Sequence, residues 1–81
     1  MKKVFLLFFA VWMHTVLLSQ DAKQLRENAR TYMHQGDYAN AILVLNRGLV
    51  LYPDNLEVAK DLGLNYYYAK DYKKALETLN P

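Results

Sequence analysis

Cysteine is absent from the 81 residues. That absence excludes disulfides, cysteine-ligated metal sites, thiol catalysis and lipid attachment through cysteine. Glycine is scarce, with three residues and no two close together, so no glycine-rich phosphate loop can be built. Serine occurs once, at Ser19, and beyond the first 20 residues the one histidine is His34. A lone histidine without cysteine is a poor metal site. No nucleophile stands near a plausible base. No catalytic, cofactor-binding or metal-binding residue is therefore assigned, and no cofactor or small-molecule substrate is expected.

Charge of one sign is also lacking. The formal net charge is +2, from 10 Lys+Arg against 8 Asp+Glu, and two of those lysines are Lys2 and Lys3. Setting these aside leaves 8 basic against 8 acidic residues, with no basic block suited to a nucleic-acid backbone. Nucleic acid is not expected as a partner.

Long apolar runs are limited to one. Val4 to Leu18 is apolar except for His14 and Thr15, comes directly after the lysine pair, and ends at small, polar Ser19 and Gln20. A positive start, a short apolar centre and a small-residue exit mark a secretory signal peptide. The run is shorter than the roughly 20 apolar residues of a membrane-spanning helix. Residues 1–19 are read as a cleaved signal peptide, with cleavage after Ser19, so the membrane is met only in transit. The alternative is a retained leader that anchors the chain. Much of the 53% hydrophobic content lies in this segment and not in the folded part.

The remainder repeats itself at an offset of 34 residues. Tyr32 meets Tyr66, Asp37 meets Asp71, Tyr38 meets Tyr72, Ala41 meets Ala75, Leu45 meets Leu79 and Asn46 meets Asn80. Arg26/Lys60, Glu27/Asp61, Ala29/Gly63 and Ile42/Leu76 are conservative matches at the same offset. Apolar residues at helical spacing, such as Leu25, Ala29 and Tyr32, or Ala41, Leu45 and Leu49, give each segment one buried stripe. The pattern predicts helices over about 21–35, 38–51, 55–69 and 72–80, with no strand. Gly36 is suited to end the first helix through positive φ. Asp37, Asp71 and the pair Asp54-Asn55 are candidate N-caps, and Pro53 stops the second helix. Small Ala29, Gly63, Ala41 and Ala75 sit where paired helices would cross, with Tyr32, Tyr66, Leu45 and Leu79 filling the space between them.

A 34-residue period with Leu25, Asn28, Ala29, Tyr32, Ala41, Leu45 and Pro53 in the first copy, and Ala59, Leu62, Gly63, Tyr66, Ala75 and Leu79 in the second, resembles the tetratricopeptide repeat. The resemblance implies an all-α fold of helix-turn-helix hairpins, a right-handed α-solenoid of about 1.75 repeats after the leader. Residues 20–55 form the first repeat and 56–81 the second, truncated in its second helix. Two departures stand out. Asn28 replaces a leucine, as suits the outer face of a terminal repeat, and Lys70 stands where glycine is usual, which should strain or reshape the second turn. About three repeats are normally needed for a stable stack. Pro81 falls at a position equivalent to Arg47, inside a helix, so the last helix should be short and Leu62, Tyr66, Leu76 and Leu79 poorly covered. The chain is read as the N-terminal fragment of a longer repeat protein, marginally stable alone; the alternative is a short form that pairs through its open end.

The resemblance also implies function. Such proteins hold a peptide or a partner's helix on the concave face lined by the first helix of each repeat. That face would carry Arg26, Arg30 and His34 from the first repeat and Lys60, Leu64, Tyr67 and Tyr68 from the second. The cluster Arg26, Arg30 and Lys60, flanked by the tyrosines, could receive an acidic segment. The same residues would equally serve as a solvated helix face, with Glu27 offsetting Arg26 and Arg30. Adjacent Tyr67 and Tyr68 cannot both face one core, so at least one is expected at the surface. The reading is an exported protein-binding adaptor of a bacterial cell envelope. The alternative is a structural spacer or assembly element of a larger envelope protein.

Overall fold

Helix starts in this chain are set by short polar side chains. Asp37 accepts a hydrogen bond from the Asn40 backbone N–H at 3.2 Å, Asn55 from Val58 at 3.1 Å and Asp71 from Lys74 at 3.3 Å, each satisfying a donor that has no partner within the helix. The computed structural model describes residues 21–80. The proposed signal peptide and Pro81 lie outside the described residues. The described residues form four helices in chain order: α1 over 21–34, α2 over Tyr38–Leu51, α3 over Leu56–Tyr68 and α4 over Tyr72–Leu79. Among the described residues there is no strand, and no helix is long and apolar enough to cross a membrane. The all-α helical-repeat architecture expected from the 34-residue period is thus present, with helix ends within one or two residues of those read from the sequence.

The two hairpin turns are copies of each other. After α1, Gly36 N–H donates to Met33 O at 2.9 Å and Asp37 N–H to Tyr32 O at 2.9 Å. After α3, Lys70 N–H donates to Tyr67 O at 3.0 Å and Asp71 N–H to Tyr66 O at 2.9 Å. Gly36 has φ 75° and Lys70 has φ 67°. Of the two outcomes expected at Lys70, a strained or a reshaped turn, the structure shows the first. The turn keeps its form, and lysine is held in the left-handed region that glycine adopts without penalty.

The core forms where α3 meets the first hairpin. Ala29, Ala41, Leu45, Val58 and Leu62 are buried together, with Tyr32, Ile42, Val44, Leu49 and Tyr66 packed around them. Burial of Leu45, Val58 and Leu62 contributes roughly 1.5–3 kcal/mol each. Leu62, expected to be poorly covered, is buried instead, because it points back toward α1 and α2 and not toward the open end. Tyr66 is likewise half-buried, and its hydroxyl accepts a hydrogen bond from Asn46 Nδ2 at 3.2 Å. Buried Gly48 brings α2 close to α3: a Cβ there would lie 3.1 Å from Val58 Cγ1. Gly63 plays the corresponding part between α3 and α4, where a Cβ would meet Leu79 Cγ at 2.6 Å. Asn28 is exposed on α1 and accepts from Gln24 Nε2 at 3.0 Å.

Candidate protein-binding face

α1 and α3 lie side by side, and their contact is ionic as well as apolar. Arg26 Nε donates to Asp61 Oδ2 at 2.8 Å, and Arg26 Nη2 lies 3.5 Å from Glu57 Oε2. The hydrogen bond to Asp61, reinforced by the two carboxylate charges, raises the arginine pKa above its ordinary value against the opposing effect of burial. This arrangement revises the expected role of Arg26. Its guanidinium is occupied by α3, not presented to an incoming acidic segment, and its partners are Asp61 and Glu57 in place of the expected Glu27.

Next to this pair is a recess of about 120 Å³, lined by Ala29, Arg30, Met33, Asp61, Leu64 and Asn65. Asn65 is 2% exposed and donates through Nδ2 to Asp61 O at 2.9 Å. Its Oδ1 is buried and accepts no hydrogen bond from the described residues. A buried acceptor of this kind normally has a partner, and an N–H or cationic donor of a bound segment would satisfy it.

Beyond Leu64 the recess opens into a groove of about 730 Å³ between α3 and α4. Glu57, Lys60, Asp61, Leu64 and Tyr67 line its α3 side, Tyr72, Leu76 and Leu79 its α4 side, and Gly63 and Ala75 its floor. Lys60 makes no ion pair among the described residues, and Leu76 and Leu79 are 62% and 51% exposed. Four tyrosine rings border this face in a continuous series. Tyr38 stacks on Tyr68 at 5.6 Å between centroids, Tyr68 meets Tyr67 edge-on at 5.9 Å, and Tyr67 meets Tyr72 edge-on at 5.5 Å.

Of the residues singled out from the sequence, Lys60, Leu64 and Tyr67 come together in the groove, and Arg30 joins Leu64 at the recess. Tyr67 and Tyr68 are both exposed, and Tyr68 turns toward Tyr38 at the start of α2. His34 is exposed at the end of α1 and lines neither cavity. Sequence reading missed the Arg26–Asp61 bond and the burial of Asn65. The first left a trace in the sequence, opposite charges 35 residues apart, one more than the period. Among the described residues no three histidine, aspartate or glutamate side chains gather closely enough to hold a metal.

Comparison with known proteins bears on the same segment. Residues 29–65, from the middle of α1 to the last turn of α3, match a family model described as tetratricopeptide repeat. The match supports a tetratricopeptide-repeat family. No curated protein and no solved structure matches the chain. Tetratricopeptide repeats are generally non-catalytic and generally mediate protein–protein interactions.

Proposed function

We propose that this chain is an exported protein-interaction module, which holds a protein or peptide partner on the face shared by α1 and α3. The observation that carries this reading is the continuous surface from the recess at Arg30 and Asn65, across exposed Leu64, to Tyr67 in the groove. Tyrosine exposed beside apolar side chains supplies contact area at low entropic cost and is typical of interfaces. Lys60 and Arg30 add positive charge at the rim beside the carboxylates of Glu57 and Asp61, so the face offers both signs of charge to a partner.

Export to a bacterial cell envelope is supported by the lysine pair, apolar centre and small-residue exit of residues 1–19. Intact-mass measurement of the protein from the envelope fraction of its native host tests this part: a species beginning at Gln20 is expected, and a retained leader would refute cleavage. For the binding role, Tyr67→Ala combined with Tyr68→Ala should abolish partner capture while circular dichroism shows unchanged helicity. Undiminished capture by that variant would refute it.

A further inference from the structure

Thr31 and Asn65 hold equivalent positions in the two repeats and make the same backward bond in different surroundings. Thr31 Oγ1 donates to Glu27 O at 3.1 Å, and Asn65 Nδ2 donates to Asp61 O at 2.9 Å. Thr31 is exposed, so its oxygen can also bond water. Asn65 is 2% exposed, and its Oδ1 accepts nothing from the described residues. The bond to Asp61 O fixes which end of the carboxamide is left free. A buried acceptor without a partner costs stability, and a leucine, close to asparagine in shape, carries no such cost. Packing therefore does not account for an asparagine at this position.

The recess that Asn65 lines, between α1 and α3, is made of unlike parts. Ala29, Met33 and Leu64 are apolar walls. Asp61 spends Oδ2 on Arg26 and makes no bond through Oδ1 among the described residues. Arg30 is exposed and makes no ion pair among them. Two acceptors, Asn65 Oδ1 and the Asp61 carboxylate, thus stand with one cationic donor, Arg30. At about 120 Å³ the recess is far larger than the roughly 10–15 Å³ that a single water needs.

We infer that this recess receives the side-chain carboxamide of an asparagine or glutamine from a bound protein segment. This rests on the protein-binding reading and names the group that the recess takes. A carboxamide is neutral and carries two N–H donors and one acceptor oxygen. One N–H donates to Asn65 Oδ1, the other to the Asp61 carboxylate, and the oxygen accepts from Arg30. The methylene stem lies against Ala29, Met33 and Leu64. Other polar side chains match less of this set. A carboxylate brings no donor to the two acceptors. An ammonium or guanidinium has no acceptor for Arg30 and adds a positive charge beside Arg26 and Arg30. A hydroxyl has a single donor, which leaves one acceptor unmatched. Arg30 and Met33 are long and unbranched, so a ligand reaches the covered Oδ1 by rotamer change with the backbone at rest.

The probe is N-acetyl-glutamine N-methylamide, titrated into the isotope-labelled full chain and followed by amide chemical shifts at Ala29, Leu64 and Asn65. The matching glutamate and methionine derivatives serve as charged and apolar controls of similar length. A saturable shift centred on the recess is expected with glutamine and with neither control. Arg30→Met should weaken glutamine binding about tenfold, the worth of one hydrogen bond to a charged group. Arg30 is exposed, so this variant keeps its fold. Asn65→Leu should abolish the shifts at Ala29 and Leu64 with helicity retained, and Arg30→Met decides the matter even where Asn65→Leu unfolds. Absence of a saturable shift, as a recess holding only water would give, overturns the inference. Equal binding of either control, or binding indifferent to Arg30→Met, overturns it too. If the glutamine probe fails while the Tyr67→Ala/Tyr68→Ala chain still loses its partner, the recess assignment falls and the protein-binding role stands.

Discussion

Arg26 and Asp61 are joined by a 2.8 Å hydrogen bond that links the first helix of one hairpin to the first helix of the next. The bond is partly buried, charge-assisted and supported by Glu57 at 3.5 Å. It therefore couples the two hairpins more strongly than an exposed surface pair would. Arg26→Ala and Asp61→Asn are each expected to lower stability by about 1 kcal/mol. The double variant should lose less than the sum, because the two residues share one interaction. Urea unfolding of the four proteins in a double-mutant cycle measures this coupling.

Lys70 offers the opposite sign. It occupies φ 67° with the same hydrogen bonds that Gly36 makes at φ 75°. Removing its Cβ relieves left-handed strain of roughly 1–2 kcal/mol, offset in part by the greater chain entropy of glycine when unfolded. Lys70→Gly should therefore raise the thermal midpoint by several degrees. Gly36→Ala should lower it, although no atom blocks a Cβ there, since the strain is in the backbone and not in packing.

Gly48 tests packing instead. Its missing side chain lets fully buried Val58 approach α2, so that any side chain placed there must displace Val58. Gly48→Leu should separate α2 from α3 and cost about 1–3 kcal/mol. Loss of near-ultraviolet tyrosine signal together with a lower urea midpoint would register it. Retention of both would mean the crossing is looser than the 3.1 Å approach implies.

Most of the fold was legible because its determinants are local. Caps at Asp37, Asn55 and Asp71, the positive φ of Gly36 and the small residues at helix crossings are properties of one or two positions, and the 34-residue period repeats them. What escaped reading depends on which way a side chain turns about its helix. Leu62 was expected at the open end but points to the first hairpin, and Arg26 was expected at the binding face but is engaged by α3. Periodicity places a residue on a stripe about 100° wide, which is too broad to decide between two neighbouring helices. Asn65 was unreadable for a further reason: its first-repeat counterpart is Thr31, which is exposed, so the repeat itself argued against burial. Residues 60, 64 and 67 were legible as a group, since i, i+4 and i+7 share one face.

Occupation of the α3 face at Tyr67 by a protein partner is the central claim. The most direct measurement is site-specific photo-crosslinking in the native host, with p-benzoylphenylalanine replacing Tyr67 in one chain and Asn28, exposed on α1, in another. A discrete crosslinked adduct from position 67, absent from position 28, is the predicted result. Equal adducts from both positions, or none from position 67 in a chain present at normal abundance, would contradict it.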